Sequence, residues 1–212
     1  MKRITTLMTL FCIVVLSAKA QLLWKVSGKD LPKASYILGT HHLAPLSILD
    51  SIAGFKQAMN DVEQVCGEIV MAEMQAPATI QKIQQTVIMP GDTTLRTLYT
   101  AAQYDTLSVK IKKLIGVDLI DLMNMVKPSF ITTQLSVVIA IKAIPGFNPK
   151  QQLDGWFQTE AQKQGKKVTA LETIDSQINM LFDSQSLQRQ AEQLLATVNH
   201  LEDMEQQLCP AR

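Results

Sequence analysis

The chain has 212 residues, and 47% of them are hydrophobic, which is enough to bury a core and excludes a disordered protein. Its 20 Lys and Arg nearly balance its 19 Asp and Glu, for a formal net charge of +1. Loss of residues 1–20 would remove three basic residues, leaving 17 against 19 and a net charge of −2. This balance favours neither a nucleic-acid partner nor an anionic membrane.

The first 20 residues have the pattern of a secretory signal peptide. A basic start precedes an apolar run from Leu7 to Leu16, and Ala18-Lys19-Ala20 offers an A-x-A cleavage site. The apolar run is too short to span a bilayer comfortably, and no later segment is long and apolar enough. We expect cleavage before Gln21 and an exported product, periplasmic or extracellular, with a single domain over residues 21–212.

Two cysteines, Cys66 and Cys209, would remain after cleavage. An oxidising compartment allows a disulfide between them, but their spacing does not decide whether they meet. The apolar pattern around Cys66 equally predicts a buried free thiol in a strand. The absence of a C-x-x-C motif argues against a thiol-based zinc site.

Two short apolar segments at the start of the mature chain predict an antiparallel hairpin. Residues 22–26 and 34–40 favour strands, and a loop rich in turn residues separates them. The second strand runs into Gly39-Thr40-His41-His42, which holds two of the three histidines. Gly39 permits a sharp turn or a close approach to a ligand. A histidine just past a strand end is a candidate for catalysis, or alternatively a hydrogen-bonded structural residue.

A helix and a third strand are expected next. Ser47 is placed to cap a helix that runs to about Val62, because apolar residues recur there at helical spacing. Residues 64–71 predict a strand with Glu68 in its middle. A carboxylate among apolar residues is costly to bury without a partner, so Glu68 faces either solvent or the same site as His42.

Residues 78–144 predict a mostly helical insertion. A break at 90–92 precedes a helix capped by Thr93, and further helices are expected over 101–115, 119–125 and 129–144. Met and aliphatic residues are frequent there, Met123 and Met125 among them, which is typical either of a core or of a cleft for a peptide or apolar ligand.

The C-terminal third returns to an α/β pattern. A helix over 153–164, ended by Gly165, leads to a strand over 166–171 that we expect to be parallel and reached by a crossover. Glu172 follows this strand directly. It is a second candidate carboxylate, or it merely favours the positive end of the helix over 173–183, which Thr173 or Asp175 would cap.

A last helix over 187–208 has a heptad-like apolar seam. His200 lies beside that seam in a polar run and reads as a surface residue. The elements together predict an α/β fold, a mixed sheet with a mostly helical insertion and a long C-terminal helix. His42, Glu68 and Glu172 provide the donor types of a divalent metal site, or of a general base that acts without metal.

Several of these motifs resemble the TraB/GumN (PrgY-like) family. Gly39 and His42 match its G-x-x-H signature within the run Tyr36 to His42, and Glu68 matches the glutamate of its second strand. Its central block is similar to Leu153-Asp154-Gly155-Trp156-Phe157 and to Leu171-Glu172-Thr173. The similarity extends from Leu22 to about Leu208.

The resemblance implies a function related to that of the Tiki metal-dependent proteases. It implies catalytic roles for His42, Glu68 and Glu172, with a divalent ion such as Mn²⁺, Co²⁺ or Zn²⁺ on His42 and Glu68, and a peptide or protein substrate. His41 occupies a variable position of the motif. The alternative is an exported protein that binds a peptide or small ligand without catalysis.

The chain departs from the family at its C-terminus. Family members continue with an Arg-Asn pair and a second G-x-x-H on a closing strand, whereas this sequence ends at Arg212 without either. The sequence is therefore expected to be either a fragment or a C-terminally shortened protein, and in both cases the sheet would be incomplete and the site would have one histidine fewer.

Overall fold

The computed structural model describes residues 21–201, and it begins with the predicted hairpin. Strand β1 (Leu23–Val26) pairs with β2 (Ser35–Leu38) in antiparallel register, with Trp24 opposite Ile37. The predicted hairpin is confirmed. The predicted signal peptide, Cys209 and the end of the predicted last helix lie outside the described residues.

The described chain forms two compact units. One contains residues 21–40 and 50–62, and the other contains residues 41–49 and 63–201. In the first unit the hairpin is accompanied by helix α1 (Phe55–Asp61), and the Tyr36 hydroxyl donates a hydrogen bond to Asp61 Oδ2 at 3.1 Å.

The continuous helix predicted from Ser47 to about Val62 is wrong. The chain instead forms a short 3₁₀ helix (Leu46–Ser51) and then α1. Gly54 separates them with a φ of 79°, a left-handed conformation that a right-handed helix cannot continue through. The apolar spacing still marked the buried side of α1, because Phe55 and Met59 are both buried.

The second unit contains a parallel pair of strands, β3 (Gln64–Gly67) and β4 (Lys167–Ala170). Val65 lies opposite Val168, and Gly67 lies opposite Ala170. The chain between them is largely helical, which confirms the predicted parallel strand reached by a crossover. Four elements of the crossover and two helices after β4 have these bounds: α2 (Pro77–Thr86), α3 (Leu95–Leu98), α4 (Ala101–Ile115), α5 (Pro128–Ala143), α7 (Ile174–Phe182) and α8 (Leu187–Asn199).

Helix α6 (Leu153–Lys163) completes the crossover and packs against both β3 and β4. Its apolar side is formed by Leu153, Phe157 and Ala161, all buried. Gly165 follows with a φ of 68°, as expected for the residue that ends a helix. The fold class is therefore mixed α/β, mostly helical, with small antiparallel and parallel sheets and a C-terminal helix.

The helix predicted over 119–125 is wrong, because that segment is a series of turns. Its carbonyls bond outside the segment: Asn124 O accepts from Leu95 N–H at 2.7 Å, and Met125 O accepts from Met89 N–H at 2.8 Å. The helix cap predicted at Thr93 lies one residue on, at Thr94, whose hydroxyl accepts from the Thr97 N–H.

The main core lies among α3, α4, α5 and α8. The predicted seam of α8 is buried in it, with Leu194 and Val198 fully inaccessible. A smaller apolar cluster joins Val87 to the buried face of α7, which Thr173 caps. Within residues 21–201, no helix combines the length and the apolar character needed to cross a bilayer.

Truncation of Leu194 to Ala is expected to reduce the free energy of unfolding by about 2–5 kcal/mol, because it removes buried methyl groups and leaves a cavity. Leu122→Ala is the matched control, since the Leu122 side chain is 81% exposed and should change stability by less than about 0.5 kcal/mol. Urea denaturation followed by circular dichroism measures both. Equal effects of the two variants would contradict this account of the core.

Candidate functional site

His42 and Asp154 form the central contact of the candidate site. His42 lies in the loop after β2, and Asp154 lies in the first turn of α6. His42 Nδ1 is 2.9 Å from Asp154 Oδ2. Because a carboxylate only accepts hydrogen bonds, Nδ1 carries the proton and donates it, which leaves Nε2 free to accept or to bind a metal when the ring is neutral.

Glu68 approaches the other nitrogen of the same ring. Its Oε2 lies 3.8 Å from His42 Nε2. This is ion-pair range rather than a hydrogen bond. The side chains of His42 and Glu68 are 61% and 60% exposed, whereas that of Asp154 is only 20% exposed. A solvent-accessible histidine thus lies between the mostly covered carboxylate of Asp154 and the exposed carboxylate of Glu68.

The two carboxylates make the imidazole more basic. The hydrogen bond to Asp154 is the largest cause and raises the pKa of His42 above its usual value, helped by the negative charges of Asp154 and Glu68. Partial burial opposes this rise. The protonated ring is consequently more populated near neutral pH than it would be in an isolated histidine.

Glu68 lies just past the end of β3, so the prediction that it sits within a longer strand is wrong. The cause is a buried amide on α6. Gln158 Nε2 donates to Ile69 O at 2.7 Å, and the Met71 N–H donates to Gln158 Oε1 at 2.8 Å. These bonds take the backbone groups that a longer strand would have paired with β4.

Gly67 makes room for that amide. A Cβ atom built on Gly67 would lie 2.7 Å from Gln158 Nε2, which is closer than real Cβ contacts allow. Gln158 and Asp154 are four residues apart on α6, so they share one side of the helix. Two side chains on one side of α6 therefore make both contacts: Gln158 bonds to the backbone next to Glu68, and Asp154 bonds to the ring of His42.

Glu172 meets the site through its backbone. Its N–H donates to Glu68 O at 2.8 Å, which prolongs the contact between the two strands. Its carboxylate instead accepts from Gln177 Nε2 at 2.9 Å, a local partner on α7. The structure therefore places the backbone of Glu172 beside that of Glu68, whereas the Glu172 side chain is hydrogen-bonded to Gln177.

The remaining candidates have local roles. His41 Nδ1 accepts from the Leu43 N–H at 3.2 Å and so supports the turn of this loop. Gly39 has no positive φ, and its N–H extends the hairpin by donating to Leu22 O at 2.8 Å. Cys66 is exposed, so the prediction of a buried thiol is wrong. His200 is exposed, as predicted.

His42 Nε2 and the Glu68 carboxylate have the nitrogen and oxygen donors that Mn²⁺, Co²⁺ and Zn²⁺ accept. Donor–metal distances are about 2.0–2.2 Å, so two donors 3.8 Å apart are within reach of one ion. Asp154 would fix the tautomer that such binding requires. Among residues 21–201, however, no three His, Cys, Asp or Glu side chains are grouped so that together they could hold a metal.

Two residues of the site, Asp154 and Gln158, were not singled out from the sequence. A signal was present for Gln158, because it interrupts the apolar side of α6 next to Phe157 and Ala161 and is only 4% exposed. A polar residue within an apolar stripe indicates a buried hydrogen-bonding role. Asp154 lies in the block Leu153-Asp154-Gly155-Trp156-Phe157 that resembles the family, but its residue type gave no further signal, since an acidic residue is ordinary in the first turn of a helix.

A sequence model of the TraB/PrgY/gumN family matches residues 22–210 of the chain. The matched region includes every residue of the site described above. No curated protein matches the chain significantly, and no solved structure does either.

Asp154→Asn is expected to lower the pKa of His42, because it removes the charge and weakens the hydrogen bond that raise it. A histidine whose pKa is higher in the folded state than in the unfolded state stabilises the fold. This stabilisation is complete below the unfolded-state pKa of about 6.5, and it is lost as the pH rises through the folded-state pKa. The variant should therefore lose stability mainly at acidic pH. Histidine ring NMR titration measures the pKa, with the exposed Asp92→Asn as control. An unchanged His42 pKa would refute the proposed cause.

Gln158→Leu is expected to destabilise the second unit by about 1–3 kcal/mol for each backbone group that it leaves unsatisfied, Ile69 O and Met71 N–H. Gln162→Leu is the matched control, since Gln162 is exposed on the same helix. Urea denaturation compares the two. If both variants were equally stable, the buried amide would not be what holds this segment.

Proposed function

Because the chain belongs to the TraB/PrgY/GumN family, we propose that it is an exported hydrolase-like protein that cleaves peptide bonds with the help of a divalent metal ion. The observation that carries the proposal is the position of His42, with Asp154 at Nδ1 and Glu68 facing Nε2. The signal-peptide pattern supports export.

His42 and Glu68 would hold the ion in this proposal. The carboxylate of Asp154 orients the ring and increases the basicity of the nitrogen that would bind. When bound, a divalent ion would supply a Lewis acid for a peptide carbonyl and lower the pKa of a bound water.

Glu68 is the residue best placed to exchange a proton with substrate. Its carboxylate is exposed, and its backbone carbonyl is fixed by the Glu172 N–H. With one oxygen of Glu68 on the ion, its other oxygen could accept a proton from an attacking water and return it to a leaving amine. Glu172 remains the proposed second carboxylate. Its present bond to Gln177 would have to be shared or broken for it to act directly.

Binding without catalysis is the second candidate function. It is favoured by the turn segment over 117–125, in which Val117, Leu122 and Met125 are all exposed. Side chains of this kind on a segment of turns could contact an apolar ligand or peptide. The two functions differ in one requirement, since only hydrolysis needs the arrangement around His42.

Isothermal titration calorimetry with Mn²⁺, Co²⁺ and Zn²⁺ tests the metal site. His42→Ala should abolish binding or weaken it by more than about tenfold, and Asp154→Asn should weaken it by about 10–100-fold, because an outer-shell partner orients the ligand. His200→Ala is the control for loss of an exposed histidine.

Two results would contradict the proposal. One is a folded wild-type protein that binds none of the three ions. The other is binding that His42→Ala leaves unchanged. If binding is present and His42-dependent, a screen of peptide substrates with the same variants measures the hydrolysis itself.

A further inference from the structure

Two neighbouring carbonyl groups, those of Glu68 and Ile69, accept hydrogen bonds of different origin. Glu68 O accepts from the Glu172 N–H at 2.8 Å, a backbone bond that continues the pairing of β3 with β4. The next carbonyl, that of Ile69, accepts from the side chain of Gln158 at 2.7 Å. Gln158 therefore takes over the support of the backbone at the point where the pairing of the strands ends.

The primary amide of Gln158 matches what this segment of backbone requires. Ile69 O needs a donor and the Met71 N–H needs an acceptor, and the one amide supplies both. An ionised carboxylate has no proton to donate, and an apolar side chain offers neither group. Because Gln158 is buried, water does not readily replace the two bonds. The amide and this backbone segment are thus fixed relative to each other.

The contact with Gly67 constrains the chain on the other side of Glu68. A Cβ atom built on Gly67 would lie 2.7 Å from Gln158 Nε2. Gly67 has no positive φ, so a larger residue is disfavoured there by this contact and not by the backbone conformation. Gln158 therefore touches the chain immediately before Glu68 and bonds to it immediately after.

The same helix supports both donors of the proposed metal site. Asp154 Oδ2 accepts from His42 Nδ1 at 2.9 Å, and Glu68 Oε2 lies 3.8 Å from His42 Nε2. His42 and Glu68 are more than half exposed, so solvent weakens their mutual attraction. Two donors bind one ion only while they stay close to each other. A backbone fixed on both sides of Glu68 limits how far its carboxylate can move from the ring.

We propose that Gln158 is a positioning residue, which acts through the backbone of Glu68 to keep that carboxylate within reach of an ion on His42. Gln158 itself contacts neither the ion nor the substrate in this proposal. Gly67 belongs to the same arrangement, because it leaves the space that the amide fills. The inference rests on the proposed function, since it concerns what sets the metal affinity of the same site.

Gln158→Met tests the positioning role without metal. Methionine has a similar length but no amide, so it fills the same space while both hydrogen bonds are lost. NMR in the presence of excess EDTA measures the nuclear Overhauser effect between the Glu68 side-chain protons and the His42 ring protons next to Nε2. This signal should be present in the wild type and lost in Gln158→Met. It should be kept in Gln162→Met, the control at an exposed position one turn further along α6.

A double-mutant cycle separates positioning from general stability. Gln158→Met should weaken the binding of Zn²⁺, measured by calorimetry, by at least about tenfold. It should cause no further loss in Glu68→Ala, because the carboxylate through which it acts is then absent. A residue that only stabilises the fold would have the same effect in both backgrounds.

Gly67→Ala is the second variant, because it displaces the amide without removing any hydrogen-bonding group. It should reproduce both losses. Gly155→Ala is its control, since the added methyl group meets no described atom within 4 Å. All variants are measured in sucrose, which favours the folded state, and circular dichroism checks their folding. If neither Gln158→Met nor Gly67→Ala folds, the inference is overturned, because the amide then supports the whole fold and not one carboxylate.

Three further results would overturn the inference. They are the absence of the Overhauser signal in the wild type, its persistence in folded Gln158→Met, and equal losses of metal affinity in the two backgrounds. Because the NMR measurement contains no metal, it is independent of the proposed hydrolysis. Loss of the signal in Gln158→Met from a protein that binds no ion would reject the hydrolysis alone. A signal kept in Gln158→Met, with metal bound by the wild type, would reject the positioning role alone.

Discussion

A single buried amide holds the candidate site in place. Gln158 bonds to the backbone on both sides of Val70 and thereby ends β3 where Glu68 begins. The contact is possible because residue 67 has no Cβ. One turn earlier on the same helix, Asp154 reaches the His42 ring. The distance between His42 and Glu68 therefore depends on how α6 packs against the sheet more than on their mutual attraction.

The exposure of the site explains why this support is needed. Ion pairs between exposed side chains contribute about 0–1 kcal/mol, because water and salt screen them. His42 and Glu68 are both more than half exposed, so their attraction alone would not fix their positions. The bonds of Gln158 and of the Glu172 N–H are made with backbone groups close to Glu68, and backbone contacts of this kind restrict where the carboxylate can go.

Patterns within single elements were readable from the sequence, whereas contacts between elements were not. Helix α4 was predicted with its observed bounds, since its apolar spacing is a local signal. The segment over 119–125 has a helical pattern too, but backbone bonds from Met89 and Leu95 hold it in turns. Likewise His42 and Glu68 were recognised as candidates by their types and positions, while the link through Asp154 depends on a contact between residues 112 positions apart.

The long separation in sequence between paired elements has a consequence for folding kinetics. The strands β3 and β4 are about a hundred residues apart, and such distant pairing is slow because the intervening chain must first lose its freedom. The helices between them make mainly local contacts and are expected to form earlier. The group around His42 would then be assembled after the rate-limiting step, so substitutions there should accelerate unfolding and leave the rate of folding nearly unchanged.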